Sequence, residues 1–361
     1  MRTALLLVAL VGAAGCGSIG PDTVVRDRFD YTGAVAESWK SQMLLNLVKI
    51  RYGDAPVFLD VGQIVAGYAF QRSFAALGNA FSFSSGPVPP GTATSNFGVA
   101  AGGQYNDSPT ITYAPLTGER FARSMMMPIP PSAILNVIQA GYAADTVLRL
   151  TVQSVNGVDN RRVQLQHVQP ANPEFYVLVR DLGRIQASGD IGVRLERVDK
   201  EEKLSLVLRP ILAAAVENAG LNVSKILGLD PTAKEFRVVY GAVAANDKEI
   251  ALLTRSIREV LVDLSSTITV PEVHVAEHRV RPTPGADLGP EGPIAPLIRI
   301  GHTGDRPADA FVAVQYRGHW FSIDDRDMAS KDLFSFIMFL FTFVETGTKE
   351  VAPILTIPTT R

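Results

Sequence analysis

The spacing of hydrophobic positions changes several times along the chain, and each change marks an element. Between residues 32 and 51, Val35, Trp39, Met43, Leu47 and Ile50 recur at spacings of four, four, four and three, the period of one helical face. Glu37, Lys40, Ser41 and Lys49 fall on the opposite side. Thr32 is placed to cap this helix, and Gly53 with Pro56 to end it. The stripe, Trp39 included, is expected to pack against the strands that follow.

From 57 to 113 the period drops to two. Phe81 and Phe83 alternate with Ser82 and Ser84, and Phe97, Val99, Ala101, Gly103 and Tyr105 alternate with Asn96, Gly98, Ala100, Gly102 and Gln104. The alternation predicts antiparallel strands, joined at the Pro/Gly-rich stretch 86–91 and at 106–109. Ile111 and Tyr113 continue as a last strand before Pro115. Thr117 is placed to cap a short helix bearing Glu119 in its first turn, where the helix dipole favours an anion. Pro128, Pro130 and Pro131 break that helix, and a second runs to Gly141.

The second half mixes the two periods. Strands are predicted at 147–155, 191–198, 204–208, 236–240, 297–301, 311–316, 320–323 and 354–357. Helices are predicted at 173–187, 211–227, 247–264 and 333–344, with a turn at Asn156 and Gly157. The Pro/Gly-rich stretch 281–296 reads as a long exposed loop or linker. Strand pairs interleaved with single helices predict an α+β fold rather than a doubly wound parallel sheet. An N-terminal helix and an antiparallel β-meander come first, followed by a mixed α/β C-terminal portion. The expected organisation is a leader over 1–15 and a tether over 16–31. A helix, strands and two short helices occupy 32–145, and an α+β domain occupies 146–361, interrupted by the 281–296 loop.

Composition narrows the function classes. Hydrophobic residues make up 47% and charged residues 19%, the balance of a globular chain. A net charge of −2 lacks the basic footprint of a nucleic-acid binder. One cysteine excludes an internal disulfide framework and any CxxC site. The apolar run LFSFIMFLFTFV at 333–344 would reach only ~18 Å as a helix, short of the ~30 Å hydrocarbon core, and is expected to be buried in protein.

The chain opens MRTALLLVALVGAAGC: Arg2, an apolar run from Ala4 to Val11, then Gly12, Ala13, Ala14 and Gly15 before Cys16. That order is a secretory signal, too short for a permanent span. It resembles the lipobox of bacterial lipoproteins, with Ala13 where that pattern more often carries Leu. The resemblance implies cleavage before Cys16, acylation of Cys16 with palmitate-type chains, and membrane attachment through this lipid. Gly17 follows the cysteine, without the Asp of an inner-membrane retention signal. The expected location is the outer membrane, with the body in the periplasm.

Two clusters could carry chemistry. His274-Val275-Ala276-Glu277-His278 matches H-x-x-E-H and resembles the motif of zinc peptidases of the insulin-degrading type, in which a helix aligns both imidazoles on zinc and Glu takes a proton from bound water. Glu345 and Glu350 are available as third ligands. Val273, Val275 and Val280 instead favour a strand between Pro271 and Pro282, with both histidines at the surface. Asp324, Asp325 and Asp327 could hold a hard cation, but an acidic run before an apolar helix reads as helix capping. His167, His302 and His319 are scattered, and Asn222 to Ser224 forms an N-x-S triplet of no consequence in a bacterial lipoprotein. No nucleophile elbow, phosphate-binding loop or dinucleotide fingerprint is present.

No catalytic residue, metal or cofactor is therefore assigned. The expected function is a lipid-anchored periplasmic envelope protein with a structural or partner-binding role, its partner another envelope protein. Two alternatives stay open. One is a zinc-dependent hydrolase using His274, Glu277 and His278. The other is a subunit of an oligomeric pore, in which hairpins from 57–113 of many copies pool as in lipoproteins resembling curli-type secretion channels.

Overall fold

In the computed structural model, residues 21–65, 68–77, 98–107, 110–164, 167–189, 191–198, 201–208 and 214–342 are described. Cys16, the predicted strand at Phe81 and Phe83, the 86–91 turn, Glu345, Glu350 and the 354–357 strand lie outside them. By internal contacts the chain forms two compact units, Leu59–Pro115 and the combination of Met1–Phe58 with Leu116–Arg361.

Helix α1 (Pro21–Arg51) starts eleven residues earlier than the predicted Thr32. A proline in the first turn has no amide hydrogen to lose and its φ is already helical, so most of the expected 16–31 tether is helix. Its buried face is Met43, Leu44, Leu47 and Val48, whereas Trp39 is 41% exposed. This corrects the expectation for Trp39. Only the C-terminal part of α1 reaches the core, so a stripe with helical period continues past the residues that have something to pack against.

The unit Leu59–Pro115 consists of β1 (Leu59–Val65), β2 (Tyr68–Leu77), β3 (Gly98–Asp107) and β4 (Thr110–Pro115). Pairing is antiparallel and nested: β1 pairs with β4, and β2 with β3. The predicted connection at 106–109 therefore does not fold β4 back on β3.

In the other unit, α2 (Glu119–Met126) is capped by Gly118 at φ 97°, not by Thr117. Next come α3 (Pro131–Gln139) and α4 (Ala144–Thr151). The segment predicted as one strand over 147–155 is the end of α4 followed by β5 (Val152–Val155). Val147, Leu148, Leu150 and Thr151 are all buried, and full burial erases the alternation that separates helix from strand in a short segment. The turn at Asn156 and Gly157 holds as expected. Both have positive φ, 45° and 80°, as a tight type I′ connection to β6 (Val158–Asp159) requires. The Asn156 side chain accepts from the Ala251 amide at 2.7 Å and donates to the Leu227 carbonyl at 2.9 Å.

Short strands β7 (Arg162–Gln164) and β8 (His167–Gln169) precede α5 (Pro173–Ala187), whose cap is the Asn172 side chain. Then come β9 (Ile191–Val198), β10 (Glu201–Leu208), α6 (Ala214–Leu227) and β11 (Glu235–Tyr240). The helix predicted over 247–264 is two elements, β12 (Glu249–Thr254) and α7 (Ile257–Ser266), divided at Ser256, which forms a capping box with Glu259. Six strands make one mixed sheet in the order β6-β5-β12-β11-β10-β9, in which β11 and β12 are parallel and the other pairs antiparallel.

The remaining elements are α8 (Glu272–Ala276), the two-residue pair β13 (Leu288–Gly289) and β14 (Gly292–Pro293), β15 (Gly301–Thr303), β16 (Ala310–Tyr316), β17 (His319–Asp324) and α9 (Met328–Thr342). The last three strands form a sheet ordered β15-β17-β16. The predicted 297–301 strand thus shifts to Gly301–Thr303, with Ile298 and Ile300 buried ahead of it. The protein is α+β: α1 packs on α7 and β16, α5 on α4 and α6, and Phe334 of α9 meets Phe311 edge to face. Among the described residues no helix is long and apolar enough to cross a membrane.

Candidate functional site

In the Leu59–Pro115 unit the described strands pair in two antiparallel ladders. The register runs on unchanged from Val65 opposite Thr110 in one ladder to Tyr68 opposite Asp107 in the next. The two ladders, together a ribbon, therefore keep one register. Residues directly opposite share a face, and successive pairs alternate between faces. One row holds Ile64 with Ile111, Tyr68 with Asp107, Phe70 with Tyr105, Arg72 with Gly103, Phe74 with Ala101 and Ala76 with Val99. The other holds Gln63 with Thr112, Val65 with Thr110, Ala69 with Asn106, Gln71 with Gln104, Ser73 with Gly102 and Ala75 with Ala100. The first row is apolar and aromatic except at Arg72, Gly103 and Asp107, and the second is polar or small except at Val65 and at Leu77, which stands opposite Gly98. A register shift between Val61 and Gln63 ends the strict alternation near the base. Both sheets are two-stranded among the described residues.

The H-x-x-E-H motif lies in the other unit, and its structure corrects the predicted strand. Pro271 starts one helical turn, and the Arg279 amide donates to the His274 carbonyl at 2.9 Å to close it. His278 follows in the left-handed region at φ 57°. His274 is buried while His278 is exposed, so they are not a matched surface pair. A hydrogen bond of 2.7 Å joins His274 Nδ1 to the Tyr52 hydroxyl. The His274 ring meets His319 edge to face at 4.9 Å, and His302 meets His319 at 6.0 Å. Three of the chain's five histidines thus assemble where the end of α1, α8, β15 and β17 converge. Burial, then the neighbouring His319, lowers the pKa of both His274 and His302 from the usual imidazole value. His319 Nδ1 is buried with no hydrogen-bond partner. Glu277, the base of the zinc reading, is paired with Arg279 at 2.6 Å. Among the described residues no group of three His, Cys, Asp or Glu side chains is arranged to hold a metal ion.

The acidic run takes helix-end roles. Asp327 accepts from the Ser330 amide and hydroxyl, at 3.2 and 2.8 Å, and pairs with Arg299 at 3.1 Å. Asp324 accepts from the Arg326 amide at 2.8 Å, and Asp325 pairs with Lys331 at 2.7 Å.

A cluster that the sequence did not signal lines a 220 Å³ cavity between α4, α5, α7 and the 281–296 stretch. The Tyr176 hydroxyl donates to Asp287 at 2.6 Å, and the Arg149 guanidinium lies over the Tyr176 ring. Burial, then the bond to Asp287, raises the Tyr176 pKa well above the usual phenol value, so this group stays protonated and serves as a donor. Asp287 is buried, which pins the expected loop or linker onto the body. Its residues come together from positions 111 apart in sequence, a separation that carries no local pattern.

No protein-family model, curated protein or solved structure matches this chain.

Proposed function

We propose that the protein is a lipid-anchored subunit of the bacterial outer membrane, body in the periplasm, whose role is assembly rather than catalysis. In this reading the 59–115 ribbons of successive copies pair edge to edge into a membrane-spanning barrel. The observation that supports it is the ribbon: two antiparallel ladders in one register, with a mainly apolar row on one face and on the other a row that is polar or small except at Val65 and Leu77. An isolated two-stranded hairpin is at best marginally stable in water. A closed ring of such ribbons leaves no edge unpaired, the condition for β-structure in lipid. Strands β2 and β3 are each ten residues long, and a tilted strand needs roughly 9–11 to cross the hydrocarbon. The alternation fits an apolar exterior and a polar lumen. An acyl chain on Cys16 would hold every copy at the same surface, raising their effective concentration for pairing. The hydrolase reading has less support, because His274 and His278 differ in burial and Glu277 is paired with Arg279.

The test is to excise the ribbon. The Leu116 amide donates to the Phe58 carbonyl at 2.9 Å, so the chain ends it would leave are adjacent and a short glycine bridge can replace 60–114. Detergent-extracted full chain is expected to run as a large, discrete oligomer and to conduct ions in planar bilayers. The excised protein should keep its circular dichroism as a folded body, run as a small species and conduct nothing. An excised protein that still forms the large species would overturn the reading.

A further inference from the structure

A second cavity, of about 880 Å³, opens between the end of α1, α2, α7 and the 278–284 segment. That volume lies within the range of roughly 300–1,000 Å³ usual for small-molecule sites. Its floor is apolar, with Phe58, Phe121, Met125 and Leu261 among its residues. Methionine and aromatic walls of this kind adapt to a flexible chain. Its charged residues are four arginines, Arg51, Arg258, Arg279 and Arg281, against one carboxylate, Asp54. Asp54 is already taken by the Tyr316 hydroxyl and by Arg317, and Arg279 by Glu277.

Arg51 is the anomaly. Its Nε donates to the Ile268 carbonyl at 3.2 Å, and one Nη2 hydrogen bond reaches the Arg281 carbonyl at 2.7 Å. These acceptors orient the guanidinium but bring no full negative charge. Burial lowers its pKa, and the nearby Arg281 lowers it further. Arg51 is half-buried, and charges taken even partly out of water are ordinarily paired, yet no described carboxylate pairs with Arg51, and the exposed Arg258 has no described partner either. Charge complementarity with an apolar floor defines an occupant that is anionic at one end and apolar along its length.

We propose that this cavity binds a single-chain anionic amphiphile, its acid group against Arg51 and Arg258 and its acyl chain along Phe121, Met126 and Val262. Neutral or cationic amphiphiles leave the arginines uncompensated, and a small anion alone leaves the exposed Met126 side chain in water. The proposal does not depend on the ribbon.

The test uses full-length protein in nonionic detergent, photolabelled with a diazirine-bearing dodecanoate, and peptide mass spectrometry to place the label. Saturable labelling on α2 and α7 that is competed by unlabelled dodecanoate is expected. Dodecyl phosphate should compete as well, since the site recognises charge, and dodecanol should not. Losing a charge-assisted hydrogen bond, worth about 1.5–3 kcal/mol, corresponds to at least about tenfold weaker labelling in Arg51→Gln. Because Arg51 also ties down the 281–283 backbone, Arg258→Gln is the companion variant. Its side chain is exposed and without described partners, so it should fold normally and label several-fold less. Equal labelling by a diazirine-bearing dodecanol, undiminished labelling of Arg258→Gln, or label placed away from α2 and α7 would each overturn the proposal.

Discussion

Two imidazoles, His274 and His302, packed against His319 at 4.9 and 6.0 Å make the joint between α1 and the three-stranded sheet sensitive to acid. The folded-state pKa of His274 and His302 is lowered by burial, while in the unfolded chain each returns to about 6.5. The folded state then binds fewer protons, so stability is full above about pH 6.5 and is lost as pH falls below it. Arg279, Arg317 and Glu277 face the same cluster. Urea denaturation is expected to show a lower midpoint at pH 5.5 than at 7.5, and His274→Gln with His302→Gln should flatten the difference. Equal slopes in wild type and double variant would show that the acid response lies elsewhere. Arg72 offers a second residue-level test, since it stands in the middle of the ribbon's apolar row opposite Gly103. A lipid-facing arginine near the bilayer midplane costs roughly 2–4 kcal/mol. Arg72→Leu is therefore expected to raise the temperature at which the oligomer dissociates in detergent; a fall would place that row away from lipid.

Among the elements, helix α1 separates what its stripe implies from what it buries. Leu47→Ala should cost about 2–5 kcal/mol, as for a fully buried leucine, because Leu47 has no exposed surface. Trp39→Ala, at a 41% exposed position, should cost well under half as much by urea titration. Comparable losses would mean that Trp39 is covered. Where punctuation and periodicity agreed, the elements were legible: Asn172 followed by Pro173 opens α5 at the predicted residue, and Asn156 with Gly157 makes the predicted turn. The misreadings share one cause. At 147–155 and 247–264 the chain enters or leaves the middle of a sheet, where residues are buried on all sides and neither period survives. The Ser256-x-x-Glu259 capping signal was nonetheless there to be read. The valines around His274 favoured a strand, but Pro271 and the pairing of His274 with Tyr52, 222 positions away in sequence, fix a helical turn. Cooperation of Tyr176 with Asp287, and of Arg51 with the 281–283 backbone, is long-range and has no local signature.

At the scale of the whole molecule, the alternation over 57–113 was legible but its partners were not. Period two specifies strands without saying which strand lies beside which, and here the pairing is nested, β1 with β4 and β2 with β3, in one register. A ring built from such ribbons is heterologous: the β1–β2 edge of one copy meets the β3–β4 edge of the next, and closure leaves no free edge. Disulfide crosslinking between two singly substituted proteins, each keeping Cys16 with its thiol taken by the proposed acyl chain, tests this geometry most directly. Mixing protein bearing Gln71→Cys with protein bearing Gln104→Cys, and scanning the β3 position along the strand, is expected to give a strong mixed dimer at one register. Either protein alone should give little. No mixed crosslink at any β3 position, or equal crosslinking of each protein with itself, would contradict the head-to-tail barrel.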